Sequence, residues 1–210
     1  MNILIIGASR GIGFELVRQA MDAGHTVTAL ARDKSVFDGV KHKRFKVRQG
    51  DIMSRKLIEG ACTGQDAVCI AVGMMPSSKT VKLFSEGTAN VLSGMKKAGV
   101  KRLLAVTGIG AGDSRGHGGF FFEKVTLAAL LRHVYEDKNR QEEMIKASAC
   151  DWTIVRPVFL TRTPLTGIYR VLTELDGCKV KKIARADVAH FMLSELEHPQ
   201  YIHRTPLLTY

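Results

Sequence analysis

Short apolar runs alternate along this chain with stretches of helical spacing. Ile3-Leu4-Ile5-Ile6 is the first run, and it stops at Gly7. Ile12, Leu16 and Ala20, with Val17 and Met21, then recur at the period of one helix face, and Gly24 suits the C-cap. Residues 26–31 (TVTALA) read as the next strand, and residues 45–47 as an edge-side strand. A short helix over 56–61 follows, with Asp51 or Ser54 as its N-cap. The near-continuous apolar run in 65–73 suits a parallel strand covered on both faces. Further on, the pattern predicts a helix over 80–98 ended by Gly99 and a strand over 103–107. A helical region over 123–147 is expected to break near 135–137. The strand over 151–157 is stopped by Pro157. A short strand over 180–183, a helix over 184–196 and a last strand over 206–209 close the series. Strands alternating with helices predict an α/β fold with a parallel sheet.

The join between the first strand and the first helix carries chemistry. Gly7-Ala-Ser-Arg-Gly11-Ile-Gly13 is a glycine-rich turn in the strand–turn–helix setting of a dinucleotide-binding unit. Gly7 lets the chain leave the strand tightly. Gly11 lets the backbone approach a pyrophosphate, and Gly13 lets the helix sit close on the sheet. Phosphates would meet free N–H groups and the positive end of the helix dipole.

Later strand ends add candidates. Arg32 follows the end of the second strand, where an arginine accommodates the 2′-phosphate of NADP and an acid would hold the ribose of NAD. Arg10 is placed to reach the same phosphate, so NADP(H) is favoured over NAD(H). Asp33 is the competing ribose ligand if the strand runs further. Asp51 is a candidate to accept from an adenine amino group, with Ile52 beside the ring. Ala71, Val72 and Gly73 would leave room for a ribose at the carboxyl end of their strand. Thr107 ends the following strand, close to the expected nicotinamide. Residues 108–119 (GIGAGDSRGHGG) read as a mobile loop, and Phe120–Phe122 as core with one ring free for a substrate wall.

The 210 residues fit one domain with a sizeable core. A net charge of +11 attracts anions in general. The basic runs at 41–48, 96–102 and 179–182 read as solvated faces rather than a nucleic-acid site, because no base-stacking aromatics accompany them. The four cysteines are scattered, with no pair or Cys/His spacing that suits zinc, so no metal is expected. Without a signal-peptide pattern or a membrane-length apolar run, a soluble cytoplasmic protein is expected.

Taken in order, these residues resemble an atypical short-chain dehydrogenase/reductase of the NmrA-like group, near the small biliverdin- and flavin-reductase-like proteins. The resemblance spans Gly7–Gly13, Arg32-Asp33, Gly50-Asp51-Ile52, Gln65–Val68, Ser85-Glu86-Gly87 with Asn90-Val91, Lys146–Ser148, Asp151–Pro157, Pro164–Gly167 and Arg185–Ala189. It implies a Rossmann-like, doubly wound parallel sheet in three α/β/α layers. The single domain would span 1–210, its substrate side built from 108–123 and 158–180. It also implies NADP(H) as cofactor and hydride delivery to a flavin, a quinone or a related flat small-molecule acceptor. Gly7, Ser9, Arg10, Ile12 and Gly13 would hold the pyrophosphate region and Arg32 the 2′-phosphate. Asp51 and Ile52 would contact adenine, Val72 and Gly73 would line the ribose, and Pro157 with Val158 would flank the nicotinamide.

The main branch of that superfamily pairs Tyr-x-x-x-Lys with a serine after the fifth strand. Here Lys138 fits the lysine, Val134 stands four residues before it, and Tyr135 only three. On a helix that moves the ring by about 100°. Gly108 stands where the serine is expected, leaving Thr107 as the nearby hydroxyl. Thr107, Lys138 and Tyr135 are therefore the candidates for chemistry. The reading is a reductase of a delocalised acceptor, which needs less proton donation than an isolated carbonyl. The rivals are a non-catalytic NADP(H) sensor of the NmrA-like type and, less favoured for so short a chain, a nucleotide-sugar epimerase.

Overall fold

The computed structural model describes residues 1–119 and 131–210. The expected Phe120–Phe122 wall, and the start of the helical region after it, lie outside these residues. The first six strands are β1 (Asn2–Ile6), β2 (Thr26–Ala31), β3 (Phe45–Gln49), β4 (Ala67–Ile70), β5 (Arg102–Val106) and β6 (Asp151–Pro157). They are followed by β7 (Phe159–Thr161), β8 (Arg170–Leu172), β9 (Lys182–Ala184) and β10 (Leu207–Thr209). The helices are α1 (Gly11–Asp22), α2 (Arg55–Cys62), α3 (Leu83–Ala98), α4 (Arg132–Lys146) and α5 (Arg185–Glu197).

Eight strands form the main sheet in the order β3-β2-β1-β4-β5-β6-β10-β8, and β7 pairs with β9 in a second, two-stranded sheet. All pairings in the main sheet are parallel except β10 with β8. Strand order reverses between β1 and β4, the switch point at which open α/β sheets bind ligands.

The alternation of side chains explains the layers. Ile3 and Ile5 of β1 pack into the core beneath α1 and α5, whereas Leu4 and Ile6 face the core beneath α2 and α3. All four are essentially inaccessible to solvent. Burying each such side chain stabilises the fold by roughly 1.5–3 kcal/mol, which is why strands with two covered faces read as unbroken apolar runs.

Four local expectations are corrected. β4 stops at Ile70 rather than reaching Gly73; Ala71 makes one more bond, to the Ile6 carbonyl, before the chain turns away. α3 starts at Leu83 rather than at residue 80, because the buried Asp137 carboxylate accepts from Phe84 N–H (2.8 Å), from Ser85 N–H and from the Ser85 hydroxyl. The same aspartate removes the expected break near 135–137. α4 runs through it unbroken, since Asp137 spends its carboxylate on α3 and not on its own backbone. Finally, the glycine-rich segment after β5 is anchored in its first half. Ile109 N–H donates to the Pro157 carbonyl, Gly110 N–H to the buried Ser114 hydroxyl, and Gly112 N–H to Asn139 Oδ1. β7 and β8 fall within residues 158–177, a stretch whose pattern carries few strong signals.

Candidate cofactor and active site

The carboxyl ends of β1, β2, β4, β5 and β6 lie along one rim of the sheet. At its centre, Gly7 has φ +84°, and a Cβ there would lie 2.7 Å from the Ala71 carbonyl oxygen. A Cβ on Gly13 would overlap the Gly7 carbonyl, so helix and strand touch as the motif requires. Gly11 has φ +62°, a conformation costly to any other residue. Arg10 is the N-cap of α1, yet its side chain makes no capping bond. Ser9 is half-buried and Arg10 exposed at the mouth of the turn, while Ile12 is buried below it, so Ile12 fixes the turn through packing. A turn stripped of Cβ atoms at three places, facing the N-terminus of a twelve-residue helix, fits a pyrophosphate.

Arg32 stands exposed directly after β2, as expected from the strand end. Its carbonyl accepts from Gln49 Nε2 at 3.1 Å. Asp33 is occupied: its Oδ1 accepts from Ser35 N–H at 2.9 Å, and the bonds from Ser35 hold its carboxyl below the usual range. Asp51 is half-buried and likewise closes a turn onto Met53 N–H. Ile52 departs from expectation. Its side chain is 4% exposed and fills the space left by Gly87 of α3, where a Cβ would come within 2.9 Å of it. It supports that side of the site from within the core and presents no open face. Val72 is half-buried against Val81, Phe84 and Val134, in the apolar group that also holds Tyr135, and Gly73 is exposed. Pro157 is buried with its carbonyl on Ile109, and Val158 turns its side chain into the core beneath α1 and α5. Any nicotinamide contact from this pair would therefore come from the chain path rather than from the Val158 side chain.

The candidates for chemistry meet at Gly108. A Cβ placed on that residue would lie 3.1 Å from the Tyr135 hydroxyl and 3.9 Å from Lys138 Nζ. The three-residue spacing thus does not carry Tyr135 away from Lys138, because residues three apart on a helix remain neighbours. Lys138 Nζ donates to the Thr107 carbonyl and lies 5.4 Å from the centre of the Tyr135 ring and 5.3 Å from that of Phe84. Burial pushes its amino group down to about 8, against an upward pull from Glu142. Thr107 differs from expectation. It is buried, and its hydroxyl donates inward to Glu142 Oε1 at 2.7 Å, away from any acceptor.

Behind these residues lies an ion network that the sequence reading had not singled out. Arg156, 1% exposed, grips Glu142 with two bonds: Nε to Oε1 at 3.0 Å and Nη2 to Oε2 at 2.5 Å. Arg156 Nη2 also reaches Asp113 Oδ1 at 2.6 Å, tying the loop after β5 to the interior. Gly112 is required there, since a Cβ would lie 2.5 Å from Glu142 Oε2. The available signal was a lone arginine inside the otherwise apolar end of β6. A cleft of about 320 Å³ opens beyond Asp113 and His117, walled on its far side by Thr173–Asp176. Among the described residues no group of three or more His, Cys, Asp or Glu could hold a metal ion, and no helix is long and apolar enough to cross a membrane.

Comparison with known proteins agrees with this geometry. Residues 7–199 match the family model described as NAD(P)H-binding. The UPF0659 protein YMR090W of Saccharomyces cerevisiae is 29% identical, over 95% of this chain and 88% of its own. The NAD(P)H azoreductase of Xenophilus azovorans is 24% identical, over 94% of this chain and 64% of its own. ChuY, an anaerobillin reductase from Escherichia coli O157:H7, superposes with a TM-score of 0.83 at 23% identity, covering 100% of this chain and 97% of its own. With the glycine turn, the switch point and the match over nearly its whole length, the chain belongs to the NAD(P)H-binding family, on a Rossmann-like fold.

Proposed function

We propose that this protein is an NADPH-dependent reductase that passes hydride to a flat conjugated acceptor such as a flavin or a quinone. The observation that carries the proposal is the carboxyl end of β5. Gly108 brings no side chain there, and the Thr107 hydroxyl is spent on Glu142. A site without a serine–threonine donor suits an acceptor whose charge delocalises. NADPH supplies the hydride when bound. Lys138 holds positive charge beside Tyr135 at that edge, oriented by the Thr107 carbonyl, and is assigned the ribose. Reduction consumes one hydride and one proton per acceptor, and the proton is assigned to Tyr135 or to solvent. Reductases occur among the relatives, as an azoreductase and an anaerobillin reductase.

Preference for NADPH is assigned to Arg32, because Asp33 is held in its turn with Ser35. Arg32→Ala is expected to weaken NADPH by tenfold or more with little change for NADH, since one charge-assisted contact to phosphate is lost. Equal loss of both would misplace the 2′-phosphate site. The activity itself is tested by following NADPH absorbance with FMN, riboflavin and small quinones. Acceptor-dependent oxidation is expected. Tight NADPH binding without oxidation across that panel would replace the reductase by a sensor of the NADP⁺/NADPH ratio.

A further inference from the structure

We propose that Arg185 is a ligand of the cofactor pyrophosphate, reaching it from the start of α5 across the second glycine of the turn. The proposal rests on the reading of this rim as a dinucleotide site and adds to it a residue from the far end of the chain. Three observations support it.

The first is direction. A Cβ on Gly11 would lie 3.6 Å from Arg185 Cδ and 3.7 Å from its Nε. The second glycine of such a turn is small because the pyrophosphate approaches the backbone there. The space that Gly11 opens is therefore bordered by a guanidinium.

The second is charge. Arg185 is half-buried and makes no ion pair with a carboxylate among the described residues. Its recorded bond runs from Nη1 to the Thr161 carbonyl at 2.8 Å, which leaves most of its five N–H donors for a ligand. A partly desolvated cation without a counter-ion is unfavourable, and a planar fork of donors matches phosphate oxygens.

The third is placement. α5 packs along α1, and Gln19 Nε2 of α1 donates to the Ala186 carbonyl at 2.9 Å. Asp187 pins the same turn of α5 through Thr166, Gly167 and Tyr210. The Thr161 carbonyl holds the guanidinium at the other end. Arg185 is thus delivered to the glycine turn by a rigid support.

Arg185 would touch what NADPH and NADH share, whereas Arg32 would touch what distinguishes them. NADPH, NADH and adenosine 2′-monophosphate, which lacks a pyrophosphate, are titrated by calorimetry into the parent protein, Arg185→Gln and Arg185→Lys. Arg185→Gln is expected to weaken both dinucleotides by about tenfold, the scale of one charge-assisted contact, and to leave the mononucleotide unchanged. Arg185→Lys, which keeps the charge and loses the fork, is expected to weaken both by about threefold; it carries the test if the glutamine variant fails to fold. Unchanged dinucleotide affinity in the variant that folds overturns the proposal. Loss of NADPH alone also overturns it, by moving Arg185 to the 2′-phosphate. Failure of the parent to bind any of the three ligands overturns the cofactor reading as well.

Discussion

The two sides of the sheet are built on different physical terms. From β1 to β4 the buried polar side chains are Gln19 and Thr28, and no charged side chain is buried there. From α4 onward the buried set contains Asp137, Glu142, Arg156, Asp187 and Glu195. Arg102 joins this set by pairing with Glu195 at 2.8 Å. The first side is held by apolar packing that any well-shaped set of aliphatic residues can supply. The second is held by buried charges that are ion-paired or, like Asp187, hydrogen-bonded, each of which is favourable only while its partners are present. Redundancy therefore characterises the half that carries the glycine turn, and mutual dependence the half that carries α4 and β6.

The largest effect is expected where that dependence is broken. Glu142→Ala leaves Arg156 buried without its two-bonded partner and removes the acceptor of the Thr107 hydroxyl. A loss of about 4 kcal/mol is expected in urea unfolding. The double change Glu142→Leu with Arg156→Met should recover a large part of it, because both desolvation costs then vanish together. If the double variant is as unstable as the single, the network is not the origin of the loss.

Leu16→Ala probes the other side. Leu16, on the inner face of α1, is fully buried, and its truncation is expected to cost about 3 kcal/mol through lost transfer energy and a residual cavity. Here a compensating change needs only volume, so a nearby larger apolar residue should restore stability. A requirement for one specific polar partner would erase the distinction between the two sides.

A smaller, pH-dependent effect belongs to Lys138. Its amino group falls from 10.5 to about 8 on burial, so between these values the unfolded chain binds more protons than the folded one. Its charge opposes folding below about pH 8, and the penalty fades as pH rises toward 10.5. Compared with Lys138→Met, the parent should gain stability between about pH 8 and about pH 10, read as a shift of the urea midpoint. Parallel profiles would show that the amino group keeps its solution behaviour.

The same contrast explains what could be read from the residues beforehand. The glycine turn, β1, β2 and α1 were legible because each depends on neighbours in sequence: a period, a strand end, a residue with positive φ. The place of Arg32 directly after β2 was legible for the same reason, and Asp33 is set apart from it by the short-range bond to Ser35. What escaped was decided across the chain. α3 begins where Asp137 caps it, 53 residues away, and the Thr107 hydroxyl turns inward because Glu142 waits 35 residues later. The glycines after β5 resemble a free loop in isolation, yet Gly112 is small so that Arg156 and Glu142 can meet beside it. Spacing alone left Tyr135 a candidate displaced by about 100° from the expected position, while its placement depends on Gly108 leaving room for its hydroxyl.

The position of β10 bears on the order of assembly. This strand lies between β6 and β8, and β8 has no other strand partner among the described residues. Until the segment 203–209 is seated, one edge of β6 stays unpaired and β8 has nothing to join. Such an exposed edge is a template for association between partly folded chains. Closure of the sheet by this strand is thus a long-range pairing, of the kind that forms slowly, and until it forms the open edge invites association.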